Sequence, residues 1–166
     1  MKKAVIMLVL AAFNAAAQKK ESPKLKVSGL VENTMTLSAE ELKAKKVVSG
    51  KAFKVVSTEG QVKKTIAAFR GVSLKSLVDE AKIVIPNPKE RGQFYVSVTG
   101  ADGHKVIFSW SELYNGTAGD KALVLFEENS QPIAKDGSFS LITTTDIFTE
   151  TRYVKSIKNI EIGKIR

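Results

Sequence analysis

The residues able to do chemistry are few, and the missing types narrow the field. The chain has no cysteine. That excludes a disulfide framework, a zinc–thiolate site, an iron–sulfur cluster and a cysteine nucleophile. It has one histidine, His104, so a His-rich metal site or a Ser-His-Asp triad would have to be built around that single imidazole. His104 directly follows Asp102-Gly103, a turn signal, and stands as a ligand-binding or proton-transferring group at a loop tip or as an exposed turn residue. Glu127-Glu128 places two acids at the end of an apolar run, where neighbouring strand residues point to opposite faces. Both are expected to be mainly solvated. Trp110 stands beside a helix cap and reads as a core anchor. No phosphate-binding glycine loop, H-E-x-x-H, G-x-S-x-G or calcium loop occurs. No catalytic residue and no metal ligand is therefore assigned.

Charge is the other chemical feature. The 166 residues carry a formal net charge of +9. The excess is concentrated between Lys43 and Lys75, a stretch whose only acid is Glu59. Such a face attracts phosphate, an anionic surface or an acidic partner, or serves simply as a solvated strand surface. No nucleic-acid recognition motif accompanies it.

The elements that must position these residues follow from periodicity and turn chemistry. Met1-Lys2-Lys3, the uncharged run from Ala4 to Phe13 and Ala15-Ala16-Ala17 match a secretory signal peptide. The run is too short for a spanning helix, which needs about 20 apolar residues. The expected organisation is a signal peptide over 1–17, a mobile leader over 18–23 and one domain over 24–166, periplasmic or secreted and without a transmembrane span. In that domain Leu25, Val27 and Leu30-Val31 read as a first strand. Ser38-Ala-Glu-Glu41 and Ser109-Trp-Ser-Glu112 read as capping boxes that open short helices. Phe53–Ser57 and Val62–Phe69 read as strands around the turn Thr58-Glu-Gly60, with Gly71 ending the second. Leu74, Leu77, Val78 and Ala81 form the buried stripe of a helix capped by Ser73. Phe94–Val98 and Lys105–Phe108 flank the Asp102-Gly103 turn. Ala122–Phe126 suits a strand buried on both faces. Phe139–Thr143 is a further strand, and Val154, Ile157, Ile160 and Ile162 mark a last one that pairs with the first. About nine strands and three short helices that do not alternate predict an α+β, strand-rich domain.

The order of these segments resembles the molybdopterin-binding domain of the sulfite oxidase family. The resemblance is carried by Val27-Ser-Gly-Leu-Val-Glu-Asn33 with Ser38-Ala-Glu-Glu-Leu42, Phe69-Arg-Gly-Val-Ser-Leu-Lys-Ser-Leu77 and Val98-Thr-Gly-Ala-Asp-Gly-His104. Ala122-Leu-Val-Leu-Phe-Glu-Glu-Asn129 with Gln131-Pro-Ile133, and Arg152-Tyr-Val-Lys-Ser-Ile-Lys-Asn-Ile-Glu161, continue it. It implies the family's α+β fold with short helices. The site residues depart from the pattern. Ser57 lies nearest the place of the family's molybdenum-binding cysteine, and a hydroxyl is a weaker donor than a thiolate to a soft metal centre. The Asn-Arg that follows that cysteine is missing, and Asp136-Gly-Ser-Phe-Ser-Leu-Ile142 lacks the histidine and arginine of the corresponding phrase. By resemblance, Ser57, Arg70, His104 and Arg152 are the candidate cofactor-binding residues, with the three cations facing one cleft and Ser57 at its floor. The implied function is an exported, non-catalytic member that binds a small anionic or pterin-like ligand, or an envelope protein partner. Molybdopterin enters by resemblance only. The alternative is a molybdopterin-dependent oxidoreductase with an atypical ligand set.

Overall fold

A computed structural model describes residues 23–133 and 139–165. The expected signal peptide, the leader up to residue 22 and the stretch 134–138 lie outside the described residues. No helix among the described residues is long and apolar enough to cross a membrane.

Among the described residues, ten strands form two sheets. β1 (Leu25–Gly29), β2 (Met35–Leu37), β5 (Phe94–Gly100), β6 (Lys105–Ser109) and β10 (Ile157–Lys164) make the first, in the order β2-β1-β10-β5-β6. The last strand lies parallel to the first, with Lys26 opposite Asn159 and Gly29 opposite Ile162. β3 (Val48–Val56), β4 (Val62–Ser73), β7 (Ala122–Glu128) and β8 (Gln131–Pro132) make the second, and β9 (Ser140–Thr143) pairs with β7. The α-helices among the described residues are short: α1 (Ala39–Lys43), α2 (Leu74–Ala81) and α3 (Trp110–Tyr114). The strand-rich α+β architecture is the one the sequence predicts.

The helices start where the caps place them. Ser38 accepts from the amide of Glu41, whose carboxylate returns a bond to the Ser38 amide at 2.7 Å. Ser109 and Glu112 repeat the arrangement. These bonds satisfy amides that a helix start leaves without partners. Helix α2 buries Leu74, Leu77, Val78 and Ala81, the expected stripe.

β7 explains the core. Its residues Ala122 to Phe126 are all buried, but toward two different clusters. Val124 and Phe126 pack into a core between the two sheets. Leu123 and Leu125 pack with Phe53, Val55, Ile66, Phe69, Ile142 and Tyr153. Period-two geometry sends alternate residues to opposite faces, so a strand covered on both faces is apolar throughout.

One local expectation changes. Gly71 does not end the strand, because β4 runs on to Ser73. A Cβ at Gly71 would meet the Val124 carbonyl oxygen at 2.4 Å, so the glycine permits close approach of β7 rather than a break. Ala52 sits inside β3 with φ 56°, a left-handed conformation uncommon for a residue with a Cβ.

Candidate functional site

The basic cavity is built where β4, the β5–β6 turn and the approach to β10 converge. About 270 Å³ is enclosed by Lys63 and Lys64 of β4, His104, and Tyr153 and Lys155, with Val55, Asp102 and Glu150 completing the wall. His104 is placed by its turn. Gly103 takes φ 84°, Gly100 donates to the His104 carbonyl at 2.9 Å, and the His104 amide donates to the Asp102 carboxylate at 2.9 Å. The imidazole itself has no hydrogen-bond partner among the described residues.

Lys64 is fixed from behind. Its ammonium pairs with Glu128 and donates to the Tyr153 hydroxyl at 2.7 Å. Glu128 also accepts from the Ser140 hydroxyl at 2.7 Å, and from Tyr153 at 3.4 Å. Glu128 is largely buried and Ser140 fully so. Burial works against the Lys64 charge, but the bonds to Glu128 and Tyr153 outweigh it and raise its pKa. Burial raises the Tyr153 phenol, with Lys64 opposing in part. Lys64 and Lys155 also lie 5.3 and 5.9 Å from the Tyr153 ring centroid, within cation–π range. Neither Lys63 nor Lys155 makes a direct ion pair among the described residues, although Lys63 donates to the Gln61 side chain at 2.7 Å and lies close enough to Glu59 to act on its charge. The cavity thus holds one anchored ammonium, two further ammonium groups and an imidazole, with two carboxylates in its wall.

Of the four residues expected to form one cleft, His104 alone lines this cavity. Ser57 is 2% exposed and its polar atoms serve its own turn. The hydroxyl accepts from the Gln61 amide at 3.3 Å, and with Thr58 it holds the Glu59 carboxyl below the usual range by hydrogen bonding. Arg152 is committed to structure. It donates to Asp146 at 2.8 and 2.5 Å and to Glu112 at 3.0 Å, and its guanidinium lies 4.5 Å from the Phe108 ring centroid. The hydrogen bonds to Asp146, against the opposing effect of burial, raise its pKa. It lines a different cavity, with Asp146, Ile147 and Phe148. Arg70 lines a third cavity, over Gly50 and Phe69, and donates to Glu127 at 3.2 Å. The structure therefore distributes the expected cations over three cavities.

Residues missed in the sequence now matter most. Glu127 and Glu128 are not mainly solvated: each holds a cation of β4. Lys64, Tyr153 and Ser140 are separated in sequence by 89 and 13 residues, and no spacing rule joins them. The only visible signal was Glu128 at the end of a wholly apolar strand, where an acid is costly unless paired. Trp110 packs against the core as expected, and also stacks on Tyr114 with centroids 4.8 Å apart.

Comparison with known proteins adds two findings. A family model described as oxidoreductase molybdopterin binding domain matches residues 13–165. Among solved structures, the sulfane dehydrogenase SoxCD from Paracoccus pantotrophus superposes with a TM-score of 0.61 at 18% identity. The match covers 84% of this chain and 38% of that one, so the chain spans well under half the length of that relative. At this identity the likeness shows the fold alone. The comparison with curated proteins returns no significant match.

Proposed function

Because the chain belongs to the oxidoreductase molybdopterin-binding domain family, we propose that it is an exported, non-catalytic member that binds a small anionic, pterin-like ligand in the Lys64–Tyr153 cavity. A thiolate-anchored molybdenum centre does not fit, since the chain has no cysteine. Ser57 does not replace the thiolate, since its hydroxyl is buried and engaged within its own turn. No group of three or more His, Asp or Glu side chains suited to a metal stands among the described residues.

The observation that carries the reading is the Lys64 anchor. Glu128 and Tyr153 hold the ammonium at the cavity wall, so little side-chain entropy remains to be lost when an anion arrives. Lys63, Lys155 and His104 add donors around it. Asp102 and Glu150 face the same cavity. They favour a ligand that carries N–H donors beside its anionic group, as a pterin does, over a bare polyanion.

Lys155→Ala is the informative variant, because Lys155 has only a ring contact to lose. Calorimetric titration with a phosphorylated pterin should give saturable binding that weakens about tenfold in the variant, the scale of one charge-assisted contact. Equal affinities would sink the cavity assignment. Elemental analysis of natively exported protein should show molybdenum well below one atom per chain. One atom per chain, with sulfite- or sulfoxide-dependent electron transfer, would establish the oxidoreductase alternative instead.

A further inference from the structure

Strand β3 lies at the edge of the second sheet, and its two halves are finished differently. The second half is closed. The Thr149 hydroxyl donates to the Lys54 carbonyl at 2.6 Å and accepts from the Val56 amide at 2.8 Å. Thr149 is buried and stands where a neighbouring strand would. It satisfies the groups that Lys54 and Val56 turn away from β4.

The first half has no such plug among the described residues. Its outward groups follow from two bonds made by Asn129. The Asn129 side chain accepts from the Ala67 amide at 2.7 Å, and the Asn129 amide donates to the Ala68 carbonyl at 2.7 Å. Neighbouring residues of a regular strand bond to opposite sides, so β4 reverses its bonding sides between Ala67 and Ala68. β3 reverses with it at Ala52, between the partners of Ala68 and Ile66, where φ is 56°. Gly50, opposite Phe69, therefore bonds inward, and Ser49 and Lys51 turn their amides and carbonyls outward. Both residues are exposed. Their four backbone groups form a short open template for another extended chain.

The charge around this template is one-sided. The ammonium groups of Lys46, Lys51 and Lys54 are exposed and make no ion pair among the described residues. Arg70, the cross-strand neighbour of Ser49, pairs with Glu127. Lysines along an edge discourage pairing with a second copy of the same basic chain. The same charges favour an acidic strand, whose carboxylates they would meet across the new pair.

We propose that residues 49–51 of β3 are a strand-addition site for an extended acidic segment of a partner protein. The segment's backbone takes the outward groups of Ser49 and Lys51. Its carboxylates lie beside Lys51, with Lys46 and Lys54 flanking the site. Ala52 ends the site, because beyond it Thr149 already holds the outward groups. Lys46, Ser49, Lys51 and Lys54 do not line the basic cavity, so this site and the pterin reading stand or fall separately.

The probe is a blocked peptide of alternating glutamate and valine, about six residues long, the usual length of a strand. Titrated into the full chain and followed by amide NMR, it should saturate one site. A dissociation constant on the order of 1 mM is expected of so few backbone and charge contacts. Shifts should centre on Ser49, Gly50 and Lys51, and the Ser49 and Lys51 amides should gain protection from hydrogen exchange. The peptide N-methylated at alternate residues keeps its charge but loses its donors, and should bind at least about tenfold more weakly. Lysine in place of glutamate should weaken it at least as much, roughly tenfold. Lys51→Glu should lose about tenfold and Lys51→Ala roughly two- to threefold. Ser49→Pro removes one outward donor and no bond to β4, and should lose about fivefold. Absence of saturation, equal binding of the N-methylated peptide, unchanged affinity in Lys51→Glu, or shifts centred on His104 and Lys155 would each overturn the proposal. Self-association that protects the same two amides without peptide would also overturn it, by giving the edge to a second copy.

Discussion

Two neighbouring acids at the end of β7 do different work, and the contrast separates the two cavities. Glu128 is 11% exposed and receives bonds from Lys64, Tyr153 and Ser140. Glu127 is 20% exposed and receives one bond, from Arg70 at 3.2 Å. The first carboxylate joins β4, β7, β9 and the segment before β10 into one polar network beside the second core. The second steadies a surface arginine. A buried acceptor shared by three donors is costly to remove because every donor is left unsatisfied. An exposed pair is worth little because water replaces either partner. The Lys64 cavity is thus built into the fold, whereas the Arg70 cavity is laid on the surface of a sheet that would stand without it.

The comparison is sharpest in the acids themselves. Glu128→Ala should lower unfolding free energy by about 2–3 kcal/mol, less than the roughly 3–5 kcal/mol of a fully buried pair because Lys64 is a third exposed. Glu127→Ala should cost less than about 1 kcal/mol. Urea unfolding of both variants measures the difference. Equal losses would mean that the two acids are energetically alike and that the contrast in burial does not govern them.

A pair of glycines gives the next test. Gly50→Ala drives a methyl group into the Phe69 ring, which must move against Phe53 in an edge-on contact with centroids 6.5 Å apart. Overpacking of this kind costs about 1–3 kcal/mol. Gly60, in the turn that leads to Lys63 and Lys64, has φ 78° and open space around its Cα. Gly60→Ala is penalised only by backbone strain, about 1 kcal/mol. Thermal unfolding should rank Gly50→Ala as the more damaging. The reverse ranking would show that Phe69 has room to yield.

What was legible in the sequence depended on range. Caps, hairpin turns, the stripe of α2 and the doubly buried β7 all rest on residues within a few positions of one another, and all are present. The pairing of β1 with β10 was legible because both are apolar and terminal in the domain; its parallel sense was not. Order of segments carried the family. The site was not legible, because ion pairing is set by register across strands. Arg70 and Arg152 carry the charge expected of ligand-binding residues, yet Glu127, Asp146 and Glu112 claim them. Ser57 reads as the end of a strand, but β3 stops at Val56 and the turn that follows consumes its hydroxyl. Gly71 reads as a breaker locally and proves to be a contact point only once β7 lies against it.

The smallest expected effect is in alkaline pH, and its sign follows from the Glu128 network. Lys64 and Tyr153 both have folded-state pKa values raised above their ordinary values of 10.5 and 10.0. Each binds its proton more tightly folded than unfolded. The stability this contributes is complete below those ordinary values and is lost as pH rises through the folded-state ones. Thermal midpoints should therefore be flat with respect to these two groups through neutral pH and decline above about 10. Tyr114, raised by burial and by its bond to Asp79, adds to the same decline and must be held constant across the variants. Tyr153→Phe removes one titrating group, so its alkaline limb should be shallower than that of the wild type. Glu128→Gln weakens the bond that raises Lys64, with the same consequence. Glu127→Gln touches neither group and should leave the limb unchanged. Parallel limbs in all four proteins would locate the alkaline sensitivity elsewhere and would reduce the network around Glu128 to packing and hydrogen bonding without a protonic component.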